Sequence, residues 1–263
     1  MKLLVQGDDF GFTRGVTLGI VDSIDKGILR NTGLFTNMPA AEFAVSFMKD
    51  RPQACFGVDF NLVAGRPVSN PKDVPHLVDE NGYFIKSGVR IRNELWNTEE
   101  GRRTLFPKDE VVKEIRSQYE KFIELTGTKP GYLHPHSIMP ETYIEAIREL
   151  SIETGIPFSM DAWSDLYSPK MSSPVSKTKV FDPQSQLDKN TTQQIVDGFE
   201  DMLKHDKCVI CCHPGYLDAD LLDKTSLSIE RVRDAEAYMS DVVNNWVKEN
   251  NVELITYRDL VKE

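Results

Sequence analysis

Short apolar runs alternate with stretches of helical spacing along nearly all of the 263-residue chain. Strands separated by helices pair in parallel through crossovers of one hand, so this order predicts an α/β fold with a parallel sheet. Residues 2–6 read as a buried strand, and 17–27 carry Leu18, Ile20, Val21 and Ile24 at helical spacing. A second unit follows at 31–37 and 42–49, closed by Arg51 and Pro52. Further strands are expected at 54–62, 131–136, 156–160, 207–212 and 254–256, with helices at 109–125 (stopped by Gly127), 141–154, 191–205 and 229–250. About seven parallel strands in this length fit a distorted TIM-like (β/α) barrel better than a small open sheet. A doubly wound nucleotide-binding sheet is disfavoured, because the first β/α turn, Gly7-Asp8-Asp9-Phe10-Gly11, places two acids where a pyrophosphate cradle needs glycines. A single domain spanning 1–263 is the expected organisation.

Two connections are too long for ordinary barrel loops. Residues 68–97 are rich in Pro, Gly, Asn and charge, and 164–190 in Pro, Ser and Asp. Loops of this length are usually functional or disordered, and the first is read as a lid or substrate-lining insertion at the active-site face.

A formal net charge of -10 with no dense Lys/Arg run argues against nucleic acid as a partner. The opening MKLLVQGDDFGF turns acidic after a few apolar residues, so it predicts neither a signal peptide nor a membrane span, and a cytoplasmic location is expected. Cys208, Cys211 and Cys212 cluster in one apolar run with Cys55 far away, which is no disulfide framework. On a strand Cys208 and Cys211 would point to opposite faces, so they read as core thiols before they read as a metal or redox pair.

Active sites of β/α barrels lie at the C-terminal ends of the strands. Four polar clusters fall at such ends here: Asp8-Asp9, Asp59-Phe60-Asn61, His134-Pro135-His136 and His213-Pro214. Adjacent buried carboxylates repel and lose hydration, so Asp8 and Asp9 call for a metal, a shared proton or solvent, unless Asp9 or Thr13 merely caps the next helix. His134 and His136 are two apart and share a face of an extended chain, as metal ligands or as structural histidines. His213, directly after an apolar strand, is the best-placed general acid, with a structural bond to the Asp218 loop as the alternative. His76 and His205 read as surface residues. Arg66, Arg92, Arg102 and Arg103 lie in or beside the first long loop, where they could meet a phosphate or stand as solvated charges.

These motifs together resemble the YdjC-like carbohydrate deacetylases, which include the chitooligosaccharide (diacetylchitobiose) deacetylases of the ChbG type. Residues 7–44 look like that family's opening A-D-D-F-G segment with the helix and strand after it. VDFNLVAGRP (58–67) resembles its G-x-H-x-x-L-x-x-G-x-P segment, KFIELTGTKPGYLHPH (121–136) the stretch ending in D-S-H, CCHPGYLD (211–218) its H-P-G segment and NNVELITYRDL (250–260) its closing strand. The resemblance implies a distorted barrel that removes N-acetyl groups from small glucosamine-containing sugars with one divalent metal. It implies Asp8 as general base, Asp9 and His136 as metal ligands and His213 as general acid, and it suggests Asn61, Arg66 and Tyr216 as sugar contacts. A homodimer is a further expectation of the resemblance.

The chain departs from that pattern at two positions. Asp59 stands where the family has a metal histidine, and His134 where it has an aspartate. With Asp59 as ligand, two carboxylates and one imidazole favour Mg2+ or Mn2+ over Zn2+ or Co2+. Alternatively Asp59 hydrogen-bonds His134 and the metal moves onto both histidines. A third outcome is a catalytically silent sugar or sugar-phosphate binding protein, and within enzymes the same site would also suit hydrolysis of another small amide or ester.

Overall fold

A computed structural model describes residues 1–169 and 182–260 of the chain. Its strands are β1 (Lys2–Phe10), β2 (Asn31–Leu34), β3 (Cys55–Phe60), β4 (Leu133–Pro135), β5 (Lys207–Cys212) and β6 (Glu253–Ile255). They form one sheet in the order β4-β3-β2-β1-β5, with β6 also on β1, and every pairing is parallel. β1 is buried along nearly its whole length, as a strand covered on both faces must be. It runs beyond the expected end at residue 6, through both aspartates.

β2 and β6 share one edge of β1. Lys2 to Leu4 pair with Glu253 to Ile255, and the ladder passes to β2 from Gln6↔Asn31 onward. Asn31 closes the joint: its Nδ2 donates to the carbonyls of Val5 (3.0 Å) and Ile255 (3.1 Å), and its Oδ1 accepts from the Tyr257 amide at 3.1 Å.

Six strands are found among the described residues rather than about seven. At 156–160 only Phe158 bridges to Leu133 before the chain turns into the helix Ser159–Trp163, so this segment covers the open edge of β4 without extending the sheet. Tyr167 makes one bridge to Cys208 at the other edge. Of the long connection at 164–190, residues 170–181 lie outside the described residues, and Pro183–Asp188 is helical. Two expected helices are broken. One divides at Gly198 into Thr191–Asp197 and Phe199–Met202. The other divides at Ser240, whose extended backbone ends Glu230–Met239 and whose side chain caps Asp241–Glu249. The amphipathic helix Lys108–Thr126 stops where expected, at Gly127 with φ +71°.

Alternate residues of β1 serve two cores. Leu3 and Val5 join the large cluster beneath the helices, with Ile20, Val58, Ile147 and Ile210. Leu4 faces the other way and packs with Cys55, Tyr132, Val209, Ile255 and Tyr257. That second cluster draws on β1, β3, β5 and β6 at once, which requires the sheet to curl around it as a distorted half-barrel. Fully burying each such Leu, Ile or Val contributes about 1.5–3 kcal/mol. Farther along the same inward faces the residues turn polar: Gln6 and Asp8 on β1, Asp59 on β3, His134 on β4. The curl therefore gathers these side chains at the C-terminal end of the sheet.

Candidate active site

The β1–β2 register shifts between Gly7 and Phe10, and Asp9 adopts φ +78°, a left-handed conformation that aspartate tolerates better than most residues. This irregularity sends the two neighbouring carboxylates to different partners. Asp8 enters the barrel. Its Oδ1 accepts from Gln6 Nε2 at 2.6 Å, and its Oδ2 lies 3.1 Å from Cys211 Sγ, 3.4 Å from His134 Nε2 and 3.8 Å from His213 Nε2. Asp9 turns toward Arg231 and His136, with Oδ2 2.5 Å from Arg231 Nη2 and Oδ1 3.0 Å from His136 Nδ1.

Asp59 and His134 are direct register partners on β3 and β4. Asp59 Oδ2 accepts from the Asp9 amide at 2.8 Å, while Oδ1 is buried with no hydrogen-bond partner among the described residues. His134 Nδ1 bonds Ser159 Oγ at 2.7 Å, which leaves Nε2 directed at Asp8. One ligand atom each from Asp8, Asp59 and His134 lie within 4.8 Å of one another.

The electrostatics divide along the same line. Burial raises the Asp8 carboxyl, but His134 and His213 outweigh it and hold Asp8 down at about 2. Burial likewise acts against Asp9, and Arg231 with His136 overcomes it and keeps Asp9 well below the usual carboxylate range. Asp59 goes the opposite way: burial and the neighbouring Asp8 push it well above that range. Burial lowers His134, yet the surrounding carboxylates, Asp8 first, bring it above the ordinary histidine value. A buried carboxylate with one oxygen unmatched, facing a second carboxylate and an imidazole, is the donor set of a divalent-cation site, and the residues present fit such an ion.

Asp8 and His134 of this group line a cleft of about 890 Å³, together with His136, Cys211 and His213, while Asp59 is fully buried and does not reach its surface. One wall is the expected insertion, through Lys86–Val89 and Arg92, and the opposite wall is 222–227. The His213 amide donates to Asp234 Oδ2 at 3.0 Å, and Asp234 Oδ1 is held by Lys189 (2.9 Å) and Thr191 (2.8 Å), so the strand end carrying His213 is fixed while its ring stays partly open to the cleft.

Other predicted residues sit apart from this group. Asn61 braces its own loop, accepting from the Val63 and Ala64 amides and donating to Asn37 and Ala64. Arg66 stacks on Tyr83, and Tyr216 donates to Asp22 at 2.6 Å. Arg102 pairs with Glu141, Arg103 with Glu99 and Glu145, and only Arg92 of the four arginines lines the cleft. His76 bonds Glu110 and His205 stacks on Tyr167. Cys208 and Cys211 point to opposite faces as expected, but only Cys208 is a core thiol: Cys211 is exposed in the cleft beside Asp8, because its face of β5 is the one that turns polar at the strand end. Sequence reasoning missed Arg231, which is buried on Glu230–Met239, and missed Gln6, although a period of two along β1 puts Leu4, Gln6 and Asp8 on one face.

Comparison with known proteins gives a consistent result. A family model described as YdjC-like protein matches residues 2–249. "Carbohydrate deacetylase 2" of Listeria innocua is 32% identical over 266 residues, covering 100% of both chains. "Carbohydrate deacetylase" of Clostridium beijerinckii is 30% identical over 264 residues, covering 99% of this chain and 100% of that one. A solved structure from Enterococcus faecalis, provisionally described as a cellobiose-phosphate cleavage protein, superposes with TM-score 0.76 at 21% identity over 98% of each chain, which establishes shared fold. No helix among the described residues is long and apolar enough to cross a membrane.

Proposed function

The chain belongs to the YdjC-like protein family, and from that premise we propose that it is a metal-dependent deacetylase removing N-acetyl groups from small glucosamine-containing sugars, a chitooligosaccharide or its phosphate. The observation that carries this reading is the Asp8–Asp59–His134 group, in which Asp8 and His134 line the cleft and Asp59 Oδ1 is buried with no hydrogen-bond partner among the described residues. The names of the relatives supply the acyl group and the substrate class.

Asp8, Asp59 and His134 would hold the ion, and two carboxylates with one imidazole favour Mg2+ or Mn2+. A divalent cation bound there would polarise the scissile carbonyl and acidify the attacking water. The remaining steps fall to the chain's own residues. Ser159 fixes the His134 ring through Nδ1, and Gln6 fixes Asp8 through Oδ1. His213 lines the cleft 3.8 Å from Asp8 Oδ2 without belonging to the ligand group, so it is the group free to carry protons, taking one from the water and giving one to the departing amine nitrogen. Asp9, Arg231 and His136 form a second, internally neutralised cluster that holds the strand ends together. Phe12, Val63 and Trp163 give the cleft apolar walls suited to a sugar ring and its acetyl methyl, and Lys86 and Arg92 stand where a phosphorylated sugar would place its charge.

Incubation of the purified protein with diacetylchitobiose and with its 6-phosphate, each with Mg2+, Mn2+, Co2+ or Zn2+, tests the proposal by acetate release. Metal-dependent release is expected. Sugar binding without release under any metal would overturn the reading in favour of a silent binding protein, and release from acetyl esters alone would move it to another substrate class.

A further inference from the structure

From Trp163, whose ring is part of the cleft wall, a chain of hydrogen bonds runs through buried residues to Asp8, and its direction is fixed by its chemistry. The Trp163 indole can only donate, and its Nε1 donates to Tyr257 Oη at 2.6 Å. Tyr257 has one proton of its own, and its hydroxyl donates that to Gln6 Oε1 at 2.5 Å. With its oxygen so engaged, the Gln6 amide turns its nitrogen to Asp8 and donates to Oδ1 at 2.6 Å. A flipped Gln6 would set its oxygen against the Asp8 carboxylate and leave the Tyr257 proton with no acceptor, so the indole at one end determines which amide atom Asp8 meets at the other.

The chain is rigid as well as directional. Gln6 and Tyr257 are fully buried, the Tyr257 ring stacks on Tyr132 at 4.1 Å, and its amide is tied to Asn31. Its first member belongs to the same short helix, Ser159–Trp163, whose Ser159 holds His134 Nδ1. One helix thus reaches two members of the cation group, His134 directly and Asp8 through two intermediaries.

Resting on the deacetylase reading, we infer that Trp163, Tyr257 and Gln6 are positioning residues: they commit Asp8 Oδ1 to an internal hydrogen bond and leave Oδ2 as the oxygen facing His134, His213 and a bound cation. Tyr257 and Gln6 do not line the cleft, and Trp163, which does, reaches Asp8 only through them.

The test measures Mn2+ affinity of metal-stripped protein by calorimetry, alongside kcat and KM. Tyr257→Phe keeps the ring stack and removes only the hydroxyl, and partners that orient metal ligands typically matter by roughly 10–100-fold in affinity, so a loss in that range is expected, with kcat reduced and KM unchanged. Gln6→Met keeps the length of the side chain but has no donor for Asp8, and is expected to weaken Mn2+ binding at least as much. Because the groups act in series, the double variant should bind no worse than Gln6→Met alone. Trp163→Phe serves if Tyr257→Phe does not fold; because its ring also lines the cleft, Mn2+ affinity alone is read in this variant, and a smaller loss in the same direction is expected. Wild-type Mn2+ affinity in Tyr257→Phe or, failing its folding, in Trp163→Phe would overturn the relay, even with a lowered thermal midpoint. Mn2+ binding by the wild type without acetate release would remove the deacetylase reading and leave the relay standing, whereas no Mn2+ binding at all overturns both.

Discussion

Gly33 on β2 makes room for the Asp59 carboxylate on β3: a Cβ at position 33 would fall 1.8 Å from Asp59 Oδ1. Any side chain there must expel Asp59 from the barrel interior, because Asp59 lies on a paired strand and cannot retreat. Gly33→Ala is therefore expected to abolish Mn2+ binding measured by calorimetry, with a loss of about 1–3 kcal/mol in chemical denaturation from overpacking. Retained binding would mean that Asp59 is not part of the cation site.

Asp59 also makes the metal-free protein pH-sensitive. Its folded-state pKa is raised by burial and by Asp8, so above the unfolded value of about 3.9 the unfolded chain releases a proton that the folded chain keeps. This group's contribution to stability consequently falls as pH rises from about 4 toward the raised folded value. Asp59→Asn removes the ionisation while keeping the shape, and should stabilise the metal-free protein at pH 7 by about 1–3 kcal/mol, the scale of one uncompensated buried polar group. The same variant should gain little from added Mn2+, whereas the wild type at 100 times Kd should gain about 2.7 kcal/mol. Thermal denaturation with and without the ion reads both effects.

The Asp9–Arg231 pair has the opposite sign. Against burial, Arg231 and His136 hold the Asp9 pKa below its unfolded value, so the stability it contributes is complete above about pH 3.9 and is lost as pH falls toward the depressed folded value. Arg231→Met leaves a fully buried carboxylate without its guanidinium, and removing one partner of a buried pair typically destabilises by about 3–5 kcal/mol. Urea denaturation should show that loss at pH 7, and the gap to wild type should narrow below pH 4, where Asp9 becomes protonated in the variant and in the unfolded chains. A loss independent of pH would assign Arg231 to packing instead.

Much of this arrangement was legible in the sequence, and the remainder was hidden for identifiable reasons. The parallel α/β order and the four polar strand ends follow from local pattern, and Asp59 and His134 stood out as the departing pair. Their meeting depends on register, which places Asp59 beside His134 and Gly33 beside Gly57, and register is a property of strand pairing that no single strand displays. Asp8 and Asp9 were read as neighbours with related duties, but a one-residue irregularity sends them to separate clusters. Arg231 lies 222 residues from Asp9 on a helix rich in charge, where nothing local distinguishes a buried arginine from a solvated one. Asn61 carries a side chain equally suited to a sugar hydroxyl and to its own loop amides, and the loop engages it.

His213 separates catalysis from ion binding. Its amide is anchored by Asp234, so the strand end stays in place when the ring is removed, and the ring, 3.8 Å from Asp8 Oδ2, is not among the three ligand groups. In His213→Ala the cation should therefore bind with wild-type affinity while kcat falls by about 10²–10⁴, the usual contribution of a positioned acid or base. The amide needs His213 both to take the water's proton and to protonate the leaving nitrogen, whereas an acetyl ester with a good leaving group needs only the first, so the fall should be smaller on the ester than on the amide. Parallel assays of acetate release from diacetylchitobiose and from an activated acetyl ester, with calorimetry of Mn2+, check the three expectations together. An equal fall on both substrates would transfer the departing-group role to another residue, and a fall in Mn2+ affinity would place His213 among the ligands.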